Sequence, residues 1–159
     1  EDLGLYVSPD DAWLMLRGLR TLPVRLAQHQ ANAEQVADWL QTRPEVSEVL
    51  WPALASSPDH TLWQRDFTGA ASLMGVVLNG GDTRAAEAML DTLELFGLGF
   101  SWGGYESLAT CEDAQLAARS QPPQMAGPLI RLHIGLENPE DLIADLTRGL
   151  AAYRSAKAD

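Results

Sequence analysis

Hydrophobic residues recur every three or four positions over the first quarter of the chain. The pattern begins with four leucines: Leu16, Leu19, Leu22 and Leu26. Ser8-Pro9 followed by two acidic residues is typical of a helix start, and Pro44 ends the pattern. The spacing predicts a long helix over about residues 9–42. Because Pro23 lies inside it, this segment either bends there or consists of two helices that meet there.

Short apolar runs separated by turn residues predict a small sheet in the rest of the chain. Four runs have the length of strands: 46–51, 71–78, 95–102 and 129–134. Two polar segments that contain proline, 52–69 and 112–128, predict surface loops. Asp82 predicts the cap of another helix, and Asn138-Pro139 predicts the start of the last one. The order of elements predicts one α/β (α+β two-layer) domain, with its sheet and later helices over about 46–155.

The charge and the cysteine count exclude several classes of function. The net charge of −11 disfavours nucleic acids and anionic membranes, which bind clustered cations. Cys111 is the only cysteine, so no intramolecular disulfide can form, and we expect a cytoplasmic location. The acidic start of the chain predicts no signal peptide, and no apolar run approaches the ~20 residues of a membrane span. The only lysine is Lys157, so this chain alone cannot complete a mechanism that requires a buried lysine.

Metal-binding and hydrolase sites have weak support in the sequence. The candidate metal ligands are scattered without the spacing of a ligand pair, so we expect no metal site; they are His29, His60, His133 and Cys111. Gly99–Gly103 fits the G-x-S-x-G pattern of serine hydrolases around Ser101, and Asp113 and His133 follow in the order of that family. The pattern requires a helix after the serine, which Gly103-Gly104 disfavours.

Arg131 is the strongest candidate for a binding residue. It interrupts the apolar strand 129–134, so its guanidinium either binds an anion or forms a salt bridge with one of the chain's 22 acidic residues. The alternation of that strand also predicts that Arg131 and His133 share a polar face. The glycine-rich aromatic segment 99–105 suits either packing or the lining of a flat ligand.

Two segments resemble a known family. Residues 100–108, with the sequence FSWGGYESL, and residues 130–137, with the sequence IRLHIGLE, are similar to the Cys/Met-metabolism family of pyridoxal-phosphate enzymes. Residues 16–22 and 63–69 fit the same family, and the likeness extends from Tyr6 to Leu150. It is closest to the β-lyases, because the γ-synthases and γ-lyases usually have leucine where this chain has Trp102.

The resemblance implies a fold and an arrangement of domains. It implies that residues 1–159 are the C-terminal small domain of a fold-type I enzyme, with a mainly antiparallel sheet covered by helices. The family's cofactor-linked lysine and phosphate-binding residues belong to a large domain that precedes this one, so no cofactor-binding residue is expected in this chain. Members of this type form homotetramers.

The resemblance also implies roles for individual residues and a reaction. Arg131 matches the residue that binds the substrate α-carboxylate. Trp102 matches one that packs beside the substrate, and Ser101 matches the one that positions the catalytic lysine. Phe100 lies at a substrate-binding position where some β-lyases have tyrosine, so the role of that hydroxyl does not transfer. The implied reaction is the pyridoxal-phosphate-dependent cleavage of L-cystathionine to homocysteine, pyruvate and ammonia. A cysteine-S-conjugate β-lyase or cysteine desulfhydrase, a γ-lyase or γ-synthase, and a non-catalytic interaction domain remain alternatives.

Overall fold

Six helices and five strands lie in the part of the chain that the computed structural model describes, Gly4 and residues 6–158. The helices are α1 (Pro9–Arg20), α2 (Leu22–Leu40), α3 (His60–Asp66), α4 (Thr83–Leu90), α5 (Asp113–Ala117) and α6 (Pro139–Ala158). The strands are β1 (Val46–Leu50), β2 (Leu73–Leu78), β3 (Gly97–Leu98), β4 (Leu108–Cys111) and β5 (Leu129–His133). Within these described residues, no helix is both long and apolar enough to cross a membrane.

The five strands form one mixed sheet in the order β1-β2-β5-β4-β3. The pairs β1–β2, β2–β5 and β5–β4 are antiparallel, and β4 pairs with β3 in parallel. The prediction of an α/β domain with a small, mainly antiparallel sheet is therefore confirmed. The parallel pair matters for the site, because its connection, residues 99–107, must return along the sheet to place both strands in the same direction.

Alternation along the strands gives the sheet two unlike faces. One face packs on α2, α4 and α6, and its central strands contribute these buried residues: Met74, Val76, Leu78, Ile130 and Leu132. The alternate positions lie on the opposite face, which we call the open face. There Arg131 lies in register between Gly75 of β2 and Thr110 of β4, and His133 lies beside Leu73 and Leu108.

The long helix predicted over 9–42 is two helices, and the second ends at Leu40. The interruption is a single residue, Thr21, whose carbonyl already accepts a hydrogen bond from the Arg25 N–H. Pro23 explains the break, since it has no N–H to donate one turn back and is instead accommodated in the first turn of α2. No residue of α1 is buried, whereas α2 buries His29 and a row of apolar residues against the sheet.

The predicted loops and strands differ from the observed elements in three respects. The predicted loops 52–69 and 112–128 contain the short helices α3 and α5, which are too short to show a periodic pattern. The predicted strand 95–102 contains only the two residues of β3. The four residues of β4 were missed because their pairing partners lie far along the chain.

The predicted helix caps are confirmed. Ser8 Oγ accepts a hydrogen bond from the Asp11 N–H at 3.1 Å. Asp82 Oδ1 accepts one from the Ala85 N–H at 3.0 Å. Asn138 Oδ1 accepts one from the Glu140 N–H at 3.1 Å. Each side chain satisfies a backbone donor that has no partner within its helix.

Candidate functional site

The connection between β3 and β4, residues 99–107, runs beside the open face and presents aromatic side chains to solvent. Phe100, Trp102 and Tyr105 are 72%, 63% and 74% exposed. Ser101 lies between the first two and is also exposed. We call residues 99–107 the site segment. Its backbone is bound to β5 and to the turn after β5, so a fixed main chain carries the exposed rings.

Arg131 binds the start of the site segment. Its Nη2 donates hydrogen bonds to the carbonyl oxygens of Phe100 at 2.9 Å and Gly99 at 3.3 Å. Its Nε lies 3.7 Å from Glu112 Oε1, which also accepts a hydrogen bond from Thr110 Oγ1 at 2.5 Å. Among the described residues, none accepts a hydrogen bond from Nη1. The guanidinium thus forms an ion pair at one edge, while its Nη1 group can donate to an added carboxylate.

His133 lies on the same face as Arg131 and reaches the middle of the site segment. Its ring nitrogens lie 3.2 Å from Ser72 Oγ and 3.1 Å from the carbonyl oxygen of Gly104. Burial lowers the pKa of His133, and the nearby His29 acts in the same direction. The predicted shared polar face of Arg131 and His133 is therefore confirmed, although His133 is buried under the turn at Gly103-Gly104.

The end of the site segment is held by the turn that follows β5. Glu137 accepts hydrogen bonds from the Ser107 N–H at 2.7 Å and from Ser107 Oγ at 2.8 Å. The Gly135 N–H donates to Ser107 Oγ at 2.8 Å, and the Leu136 N–H donates to the Tyr105 carbonyl at 2.8 Å. Gly135 is required here, because a Cβ at this position would collide with the Tyr105 carbonyl oxygen.

The hydrolase hypothesis is not supported by these positions. Asp113 accepts hydrogen bonds from the Leu129 N–H and Thr83 Oγ1, at the other end of β5 from His133. Residues 129 and 133 of one strand are separated by about 13 Å. No helix starts directly after Ser101, because Gly103 turns the chain with φ +86°, and the next helix, α5, begins at Asp113. Asp113, His133 and Ser101 therefore do not form a catalytic triad.

Lys157 lies away from the site segment. Its Nζ donates to the carbonyl oxygen of Asn79, directly after the last residue of β2. Ser72, which contacts His133, directly precedes the first residue of β2. Seven residues of extended chain separate these two ends by about 23 Å. Lys157 therefore does not fit the role of a cofactor-linked lysine at this site.

The described residues do not bring together a metal-ligand set. Nowhere in Gly4 and residues 6–158 do three His, Cys, Asp or Glu side chains form a group that could hold a metal ion. His60 binds the Pro52 carbonyl at 3.1 Å, and burial raises the pKa of the Cys111 thiol.

The structure brings two of the four predicted site residues into direct contact and adds others that the sequence did not identify. Arg131 contacts the backbone of Phe100, and Ser101 and Trp102 follow on the same segment. The additional residues are Ser72, Glu112 and Glu137, and His133 acquires contacts with the site segment. Of these residues, only His133 could have been identified from the sequence, since it lies two residues from Arg131 on an otherwise apolar strand.

Comparison with known proteins identifies the family. The family described as "Cys/Met metabolism PLP-dependent enzyme" matches residues 1–151. A cystathionine β-lyase of Bordetella avium is 51% identical over 149 residues, which cover 93% of this chain and 37% of that protein. A cystathionine γ-lyase of Mus musculus is 40% identical over 155 residues, which cover 94% of this chain and 39% of that protein.

A solved structure has the same fold. The cystathionine γ-synthase of Xanthomonas oryzae pv. oryzae, in complex with aminoacrylate and cysteine, aligns with a TM-score of 0.82 at 39% identity. The alignment covers 98% of this chain and 41% of that one. The chain thus spans about two fifths of the length of these three relatives. It belongs to the Cys/Met-metabolism family of pyridoxal-phosphate-dependent enzymes.

Proposed function

We propose that the whole protein is a carbon–sulfur β-lyase that cleaves L-cystathionine to homocysteine, pyruvate and ammonia. In this proposal, residues 1–159 form its C-terminal domain and supply the substrate-binding face. The observation that carries the proposal is the position of Arg131. Its half-buried guanidinium lies on the open face and directly contacts a segment of exposed aromatic residues.

Arg131 would bind the α-carboxylate of the substrate. A carboxylate can accept from Nη1, while the Phe100 carbonyl and Glu112 keep the rest of the guanidinium in place. The contact fixes one end of the amino acid and so orients the bond from Cα to its proton. Partial burial strengthens the pair relative to one in open water.

The site segment would contact the rest of the substrate. Trp102 and Phe100 offer large exposed apolar surfaces on the segment that Arg131 binds, and such surfaces suit the methylene groups and sulfur of a thioether amino acid. Ser101, between them, would hold the amine of the catalytic lysine through its hydroxyl. That lysine belongs to a part of the whole protein outside this chain.

The family implies pyridoxal phosphate as the cofactor. When bound, it supplies an electron sink for the negative charge that develops on the substrate. The described residues fit the substrate side of such a site, with an arginine whose Nη1 can donate to a carboxylate and with exposed aromatic side chains. They do not fit the cofactor side, because Lys157 is anchored at the far end of β2.

A γ-lyase or γ-synthase is the second candidate, since relatives with these names share the family. The higher identity to the Bordetella avium β-lyase, 51% against 40%, favours β-elimination. The two eliminations have different products. β-Elimination of L-cystathionine releases homocysteine and pyruvate, whereas γ-elimination releases cysteine and 2-oxobutyrate.

The test is a product assay on the full-length protein loaded with pyridoxal phosphate. Pyruvate and homocysteine in equal amounts would support the β-lyase. 2-Oxobutyrate as the main keto acid would favour the γ-lyase, and no keto acid would favour a γ-synthase or a non-catalytic interaction domain. We also propose a homotetramer for the full-length protein, and sedimentation of an active monomer would contradict this.

A further inference from the structure

Three buried polar side chains lie in series under the site segment. His29 of α2, Ser72 before β2 and His133 of β5 are 4%, 2% and 3% exposed. Ser72 Oγ lies 3.4 Å from His29 Nδ1 and 3.2 Å from His133 Nδ1. The other end of the series reaches Gly104, two residues after Trp102. We call His29, Ser72 and His133 the buried series.

The contacts of the buried series determine which nitrogen of His133 carries a proton. His29 Nδ1 lies 2.8 Å from the carbonyl oxygen of Ile134, and since a carbonyl only accepts, this nitrogen is protonated. The Gly104 carbonyl oxygen, 3.1 Å from His133 Nε2, also only accepts, so Nε2 carries the proton of the neutral ring. His133 Nδ1 is then unprotonated and accepts a hydrogen bond from the Ser72 hydroxyl, which cannot donate to His29 Nδ1.

The Gly103 amide adds a second contact to the same ring. Its nitrogen lies 3.2 Å from Nε2 and 3.5 Å from Nδ1 of His133. Because these two distances are similar, the Gly103 nitrogen lies over the face of the His133 ring; a position in the ring plane would collide with the ring carbons. An N–H pointing at an aromatic face is weakly attractive. A neutral His133 therefore binds both residues that follow Trp102.

The surroundings favour the neutral ring. Burial is the largest influence lowering the pKa of His133, and His29 of α2 adds to it. The carboxylates of Glu137, from the turn after β5, and Glu106, from the site segment, act in the opposite direction. His29 Nε2 is also buried without a hydrogen-bond partner among the described residues. This costs stability that an apolar side chain in place of His29 would not cost.

We propose that His133, held by Ser72 and His29 with its proton on Nε2, is a positioning residue that fixes Ser101 and Trp102 for substrate binding. The expected effect of His133 on turnover rests on the proposed function. Its expected effect on the order of the site segment does not. His133 does not touch the substrate and acts through the Gly103-Gly104 turn.

Hydrogen–deuterium exchange of the full-length enzyme tests whether His133 orders the site segment. His133→Leu removes both ring nitrogens at similar volume, and we expect backbone exchange in residues 99–107 to rise about tenfold or more. Peptides from α2 and α6 should keep wild-type exchange. Unchanged exchange in residues 99–107 would overturn the proposal whatever reaction the enzyme catalyses.

Steady-state kinetics of the full-length enzyme test whether His133 positions the site segment for substrate binding. We expect His133→Leu to lower kcat/KM about tenfold or more, mainly through KM. His133→Gln, which keeps a donor near the Gly104 carbonyl, should recover most of this loss, and Ser72→Ala should lie between the two. A Gln variant as impaired as the Leu variant would overturn the positioning role.

A control separates positioning from general destabilisation. Val76→Ala opens a cavity on the helix-packed face of β2, away from the buried series. It should lower stability and leave KM unchanged, and a matching rise in KM would overturn the proposal. A wild-type enzyme that releases no pyruvate would refute the proposed function alone, since the exchange experiment needs no turnover.

Discussion

Arg131 Nη2 lies 2.9 Å from the carbonyl oxygen of Phe100, so the guanidinium that would bind substrate also holds the segment that would surround it. Because Nη2 and Nε already have partners on the protein, the head group is oriented before any ligand arrives. Such preorganisation reduces the entropy lost on binding. Substitution of Arg131 should therefore impair both carboxylate binding and the order of the segment.

We expect Arg131→Ala to lower kcat/KM for L-cystathionine by roughly 30-fold to several thousand-fold, equivalent to about 2–5 kcal/mol. Arg131→Lys keeps the charge without the planar fork and should lie between alanine and wild type. Pyruvate release by the full-length enzyme measures both. Arg154→Ala, which removes an exposed arginine paired with Glu45, is the charge-matched control and should leave kcat/KM unchanged. Wild-type turnover by Arg131→Ala would refute the assignment.

Asp145 anchors the turn that leads into β3. Its fully buried carboxylate accepts hydrogen bonds from the N–H groups of Glu94, Leu95 and Phe96. Asp145→Ala leaves these donors without a partner and should lower the free energy of unfolding by about 3 kcal/mol. Arg148→Ala removes only the exposed partner of the same carboxylate and should cost about 0.5 kcal/mol. Urea denaturation measures both, and equal losses would contradict this role.

Gly103 adopts φ +86° with no atom within 4 Å of the position of an added Cβ. Gly103→Ala should therefore lower stability through backbone strain alone, by about 1 kcal/mol. It should also raise KM, because the turn follows Trp102. Gly18→Ala, at an open position in α1, should instead stabilise the protein by about 0.5–1 kcal/mol. A neutral Gly103→Ala would mean that the turn adopts another conformation.

The stability of the fold should fall in mildly acidic solution because of His133. The pKa of this group lies below its usual value of 6.5 in the folded protein, mainly through burial. As the pH falls below that value, the unfolded chain binds the proton first, so unfolding becomes more favourable. The contribution is complete above pH 6.5 and is lost as the pH approaches the folded-state pKa. Unfolding midpoints should therefore fall less steeply with acid in His133→Gln than in the wild type.

Local signals in the sequence accounted for much of the fold. Ser8, Asp82 and Asn138 cap the helices that they were expected to start, because capping depends only on neighbouring residues. The four residues of β4 have no such signal. They become a strand only because they pair with residues of β5 that lie 19 to 25 positions further along the chain.

The candidate site was predictable only in part, for the same reason. Arg131 was identifiable because a guanidinium in an apolar strand requires an anionic or polar partner. The link from His29 through Ser72 to His133 joins residues 43 and 61 positions apart, and no local pattern shows it. Ser72 in particular lies inside the predicted strand 71–78, and nothing in the sequence indicates its contacts with the two histidines.

Apart from the Ser107 hydroxyl, which binds Glu137 and the Gly135 N–H, the site segment is attached through its main chain. Arg131 and His133 bind carbonyl oxygens of the segment, and the Leu136 N–H binds another. The side chains at 100, 102 and 105 take no part in these attachments and lie in solvent. We expect exchanging them to change the stability of this domain little. Under the proposed function, substrate preference could therefore be redesigned at these three positions on an unaltered scaffold, with libraries confined to them and no compensating changes in the core.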